Sequence, residues 1–169
     1  LRQHDLIDPD SLQRCDAALL SELIRPAGFG NAKTAYLQAM AAFVVDGGGL
    51  AELGNLPTRQ LRAALLSVRG IGPETADSIL LYLFERPVWI RDAYAARLLA
   101  RLSGIPVEHV VQDDWVAEWV SGERTADLSE LHALIVQHGK SHCRAVPTCH
   151  DCPLLSLCAH GTRTIADNR

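Results

Sequence analysis

LLSVRGIGPETADSILLYLFERPVWIRDAYAAR, residues 65–97, joins two runs of helical periodicity through a turn bracketed by Gly70 and Gly72. Glycine at such a turn permits positive φ and lets another backbone approach closely. Pro73 then opens a helix at a first-turn position where proline is tolerated. The free amides and dipole at that N-terminus suit a phosphate, a grip on a DNA backbone that needs few basic side chains. A glycine-bracketed turn is by itself most often only a connection between helices. Asp92 stands where an N-cap belongs, ahead of a helix over 93–102, and capping is the ordinary role of such an aspartate. Amide hydrogen bonds and the helix dipole also favour its carboxylate form. A fixed carboxylate can stabilise an oxocarbenium-like sugar or orient an attacking water.

Outward from this segment the hydrophobic spacing stays helical, and no stretch alternates as a sheet would. Asp16 is placed to cap a helix over 17–25, ended by Pro26 and Gly28. Asn31 is placed to cap another through 45, stopped by Gly47-Gly48-Gly49. Further helices are expected over 57–67, 73–84, 110–120 and 128–139, with a short extended piece at 87–91. Residues 140–169 read as loop with at most short helices. Leu1–Asp5 resembles the end of an element already under way. The expected class is all-α.

A length of 169 residues allows one large or two small lobes. Hydrophobic residues at 48% and charged residues at 21% are ordinary for a soluble globular protein. Sparse aromatics with abundant Ala, Leu and Arg favour helices. The longest apolar runs, such as 39–45, are too short to span a bilayer. No secretory signal opens the chain. The expectation is a cytoplasmic protein, nucleoid-associated if bacterial, monomeric and without a membrane partner. A net charge of −4 argues mildly against nucleic acid. Basic residues are nevertheless frequent from Arg59 to Arg101, Arg69 among them, so charge neither supports nor excludes DNA.

Four of the five cysteines, Cys143, Cys149, Cys152 and Cys158, are spaced C-x5-C-x2-C-x5-C. Disulfides do not suit a chain without an export signal. Zinc is usually held by two separated C-x-x-C pairs, whereas here one pair is flanked by single cysteines. A compact loop around a 4Fe–4S cluster fits better, with zinc and no metal as the remaining readings. His142, His150 and His160 have ligating chemistry, but exposed loop histidines are the plainer reading. Cys15 reads as packed core on a helix face.

Other residues carry weaker signals. Trp115 and Trp119, one helical turn apart, read as a core stripe. Trp89 suits a base pocket or core packing equally. The pairs Arg59/Arg62 and Arg97/Arg101, and Arg144 in the cysteine loop, read as solvated faces or phosphate contacts.

Taken in order, Gly28-Phe29-Gly30-Asn31-Ala32-Lys33, the hairpin at 68–76, Arg91-Asp92-Ala93-Tyr94, His138-Gly139-Lys140 and the cysteines resemble the endonuclease III family of DNA glycosylases. The resemblance spans residues 24–158. It implies a two-lobed helix-hairpin-helix fold: a bundle over 1–121 with the motif at about 57–84, and a cluster lobe over 122–169 with its cysteine loop at 143–158. It implies Asp92 as the catalytic aspartate and Cys143, Cys149, Cys152 and Cys158 as ligands of a 4Fe–4S cluster. The first cysteine gap is one residue shorter than the family's. Gly70, Ile71 and Gly72, with Arg69 and Arg144, would contact double-stranded DNA whose damaged base is flipped out. Before the region resembling Leu1 the family carries helices and a wedge loop, so the expectation is either a segment of a longer protein or a chain without that wedge.

Glu74 occupies the position of the family's lyase lysine, and a carboxylate cannot form a Schiff base. The resemblance therefore points to hydrolytic base removal without efficient strand cleavage. Gly70–Asp77 together with Pro87-Val88 and Asp92-Ala93-Tyr94 is most similar to the 3-methyladenine glycosylase branch, which implies alkylated bases. The alternative is a DNA-binding or damage-recognising module with weak or no catalysis.

Overall fold

The computed structural model describes residues 1–28, 30–112, 116 and 122–167. Among these there is no strand. A 3-10 turn at Arg2–His4 precedes α1 (Pro9–Arg14), α2 (Ala17–Ile24), α3 (Gly30–Asp46), α4 (Leu50–Asn55) and α5 (Thr58–Ser67). There follow α6 (Pro73–Tyr82), α7 (Ala93–Ser103), α8 (Val107–Gln112), α9 (Thr125–Ser141) and α10 (Ala159–Asp167). Among the described residues no helix is long and apolar enough to cross a membrane.

Local chemistry sets most of these boundaries. The Asp16 carboxylate accepts the amides of Ala18 at 3.0 Å and Leu19 at 2.9 Å, starting α2 as expected. Gly104, at φ 76, ends α7 in the left-handed conformation that glycine adopts without strain. Other boundaries depart from expectation. Helix α3 begins at Gly30, which puts Asn31 inside it rather than at its cap. Helix α9 starts at Thr125, three residues before the apolar pattern does. Helices α1 and α4, of six residues each, are too short for periodicity to register. The nine residues of α10 replace an expected loop; Thr162 Oγ1 and Thr164 Oγ1 turn back onto carbonyls four residues earlier. Trp115 and Trp119 lie outside the described residues.

Contacts divide the chain into two compact units, Leu1–Ala76 and Asp77–Arg169, and the division falls inside α6. The boundary expected at 121/122 sits at the edge of residues outside the described set. In the first unit α1 and α2 pack on α3, and Leu20, Leu61 and Leu65 are wholly buried. Burying a leucine side chain stabilises by about 1.5–3 kcal/mol. Cys15 is not on a helix face: it is the half-buried residue that ends α1, and its carbonyl accepts the Gln38 amide at 2.8 Å.

In the second unit α7 is the centre, packed against α8, α9 and α10. Ala95, Leu98, Ile135 and Cys143 form one buried cluster; Leu81, Ile90, Val116 and Leu128 form another, and Trp89 packs against both. That placement gives Trp89 a packing role. Gly139 explains the His-Gly pair seen in the sequence. A Cβ there would lie 2.4 Å from the Tyr94 ring, so glycine lets α7 and α9 meet at that point. Gly139→Ala should accordingly lower stability by about 1–3 kcal/mol through overpacking, read as a reduced denaturation midpoint.

Candidate active site and metal centre

The hairpin lies in the first unit. Val68 N–H closes onto Leu65 O at 3.0 Å to end α5, and Ile71 N–H donates to Val68 O at 3.1 Å across the turn. The Ile71 amide is thus engaged within the turn, which corrects its expected availability to a phosphate. Among the described residues the Gly70 and Gly72 amides donate to no backbone oxygen. The two glycines are there for different reasons. Gly70 has φ +89°, and a Cβ on it would lie 2.3 Å from the Tyr36 ring of α3. Gly72 lacks the positive φ expected of it, and a Cβ there would meet open space. Its carbonyl accepts the Ala76 amide at 2.9 Å, starting α6. Arg69 and Glu74 are exposed on either side, with Glu74 in the first turn of α6, where an acid suits the dipole.

Asp92 belongs to the second unit. It is the N-cap of α7: Oδ1 accepts the Ala95 amide at 2.7 Å, and the residue is 6% exposed. Its other oxygen, Oδ2, faces His132 Nε2 of α9 at 3.5 Å. His132 Nδ1 lies 2.7 Å from the Tyr82 hydroxyl, which is also 3.2 Å from Ser129 O. Burial pushes the Tyr82 phenol above its ordinary range, and the Asp92 charge adds to this. A buried carboxylate, an imidazole and a phenol therefore stand in line. Asp92 is legible in the sequence as a cap, whereas His132 and Tyr82 are not. They come from α9 and the end of α6, and no local spacing ties them to Asp92.

The four clustered cysteines line one small cavity together with Arg101, His138, His142 and His160. Arg101 donates to Cys143 Sγ at 3.3 Å and to the carbonyls of Arg144 at 2.6 Å and Ala145 at 3.0 Å. Arg97 Nε donates to Cys143 O at 2.8 Å. Arg97 and Arg101, one turn apart on α7, therefore brace the first cysteine rather than forming a solvated face. Arg144 Nε caps α9 by donating to Lys140 O at 2.8 Å. Gly161 N–H points at Cys158 Sγ from 3.3 Å. Burial, then the neighbouring Cys158 and Cys152 sulfurs, push the Cys149 thiol up, while Arg101 opposes this. His150 is exposed beside Asp151, as expected, but His142 and His160 are half-buried against the cavity. Among the described residues no His, Cys, Asp or Glu group converges closely enough for a single ion. Four thiols line this one cavity, with N–H donors aimed at two of the sulfurs, which is the donor chemistry of cluster ligands.

Residues 1–113 match the model of the HhH-GPD superfamily base excision DNA repair protein. A protein of Methanocaldococcus jannaschii described as a DNA repair glycosylase is 40% identical over 164 residues, which span 94% of this chain and 74% of its own length. The chain belongs to the HhH-GPD superfamily of base excision DNA repair proteins. Another member, the endonuclease III of Sulfolobus acidocaldarius, is 29% identical, over 91% of this chain and 68% of its own. The HhH-GPD fold is likewise that of solved structures. An endonuclease III in a non-covalent DNA complex aligns with TM-score 0.71 at 24% identity, over 95% of this chain and 72% of its own. A thermostable thymine-DNA glycosylase aligns with TM-score 0.72 at 20% identity, over 92% and 70%. The HhH-GPD match takes in the hairpin and Asp92 and stops short of the cysteines.

Proposed function

We propose that this chain is a DNA N-glycosylase that hydrolyses the N-glycosidic bond of a damaged base, with alkylated purines such as 3-methyladenine as the substrate class. The observation that carries the reading is the buried Asp92 carboxylate, held at the N-cap of α7 within the matched family region. Such a purine is cationic, so it takes the electron pair of the breaking bond and leaves neutral without being protonated. Positive charge builds on the sugar, and the Asp92 carboxylate stabilises it from a site shielded from water. Water adds to the sugar carbon and loses its proton, leaving an abasic site on an intact strand. The base must be flipped out of the duplex to reach such a carboxylate.

Glu74 stands where a lyase amine would be needed, and the chain has only two lysines. Lys33 Nζ is occupied by the Ala27 carbonyl. Lys140 lines an open groove with Tyr82 and His132. Borohydride should therefore trap no covalent protein–DNA complex. Efficient trapping would overturn the hydrolytic reading and direct attention to Lys140.

The hairpin is proposed to hold the DNA backbone through the Gly70 and Gly72 amides and the α6 N-terminus. Because a side chain at residue 72 meets open space, Gly72→Asp should leave the fold intact. It should weaken duplex binding about tenfold, regardless of lesion or sequence, by setting a negative charge against phosphate. Unchanged affinity at moderate salt would place the DNA elsewhere. Cys143, Cys149, Cys152 and Cys158 would hold a 4Fe–4S cluster, which supplies iron–thiolate bonds that order this loop.

A further inference from the structure

The geometry points to a further role for His132: it is the positioning residue that orients Asp92, its Nε2 facing Oδ2 and closing to a hydrogen bond there while Tyr82 holds the ring from the other side. This rests on the reading of Asp92 as the carboxylate facing the sugar.

An ionised carboxylate has acceptor capacity on both oxygens. Oδ1 is fixed by the Ala95 amide, and Oδ2 is met by His132 Nε2 at 3.5 Å. Asp92 is buried at 6% side-chain exposure and His132 is partly buried at 12%. His132 Nε2 makes no hydrogen bond in the structure, and the carboxylate oxygen it faces is Asp92 Oδ2 at 3.5 Å. Nδ1 sits 2.7 Å from the Tyr82 hydroxyl, whose one proton goes either to Nδ1 or to Ser129 O at 3.2 Å, so the Asp92 side of the ring selects the tautomer. With Nδ1 as acceptor, the ring proton lies on Nε2 and points at Asp92. The other neutral tautomer would set a bare lone pair against a carboxylate oxygen in a buried site, a repulsive arrangement. A histidine serving only as packing would have no reason to aim one nitrogen at a cap carboxylate and anchor the other at a phenol.

The consequence is rotational. Held at one oxygen, the Asp92 carboxylate can still turn about its terminal torsion, which is soft. Held at both, it presents its remaining lone pairs in one direction before substrate arrives. Preorganisation of this kind acts on the chemical step and not on DNA affinity. The Tyr82 end of the line opens on a groove also lined by Gln137 and Lys140, so the ring is anchored without being sealed in.

The test compares two replacements of similar bulk. His132→Leu keeps the packing and removes the donor; His132→Gln keeps an N–H at comparable reach. Single-turnover base release from a duplex carrying 3-methyladenine should fall about 10- to 100-fold in the leucine variant and stay within about threefold in the glutamine variant, with duplex affinity unchanged in both. Equal losses in the two variants, or a loss confined to affinity, would overturn the assignment. Should His132→Leu fail to fold, Tyr82→Phe, at a half-exposed position, carries the same comparison by freeing the ring. Nitrogen-15 NMR of the wild-type ring gives a readout independent of turnover. A proton on Nε2, with or without one on Nδ1, is expected; a bare Nε2 overturns the proposal. If the wild-type protein releases no base, the glycosylase reading fails while the NMR result still decides the contact.

Discussion

Asp92→Asn is expected to lower the single-turnover rate of base release at least about a hundredfold while leaving duplex binding intact. The substitution isolates charge from structure. Asparagine caps a helix about as well as aspartate, so the hydrogen bond to the Ala95 amide and the start of α7 should survive. What disappears is the negative charge that stabilises the cationic sugar in a buried site, where charge is weakly screened. Asp92→Ala should lose the same rate and also about 1 kcal/mol of stability, because it removes the cap. Base release near the wild-type rate in Asp92→Asn would show that the carboxylate only caps α7. Duplex binding without base release in the wild-type protein would favour a damage-recognition module instead.

The second large effect is expected at the cysteine loop. The purified protein should contain close to four irons and four sulfides per chain, and Cys149→Ser should lose them and unfold the C-terminal segment. The loop has little packing of its own to fall back on. Val146 is 83% exposed and Leu157 is 73% exposed, and the segment is braced mainly by Arg97, Arg101 and Arg144 through main-chain carbonyls. Cys143 belongs to the buried cluster with Ala95, Leu98 and Ile135, so disorder starting at the loop should spread into the contacts of α7 and α9. Limited proteolysis between 143 and 158, with loss of visible absorbance, would report this. One zinc per chain and no sulfide, or an unaltered fold in Cys149→Ser, would contradict the cluster.

The parts of this molecule legible in the sequence are those whose chemistry is local. Gly70 announces a turn because its φ demands glycine, and Asp92 announces a cap because its acceptor lies three residues on. The cysteine spacing is likewise contained within one loop. Residues acting across the fold left no such trace. His132 is 40 residues from Asp92 in sequence, and its distance from Tyr82 is 50. Arg97 and Arg101 look like any solvated helix face until the carbonyls of 143–145 are seen opposite them. Ile71 shows the converse: its amide seemed open to a phosphate, yet the turn itself uses it.

The most direct test of hydrolytic base removal is to incubate the protein with duplexes that each hold one lesion, alkylated purines among them. Released base is scored separately from strand breaks, before and after alkali. The expected result is release of an alkylated base with the strand unbroken until alkali is added. Release of no base from any duplex, or strand cleavage without alkali, would contradict it.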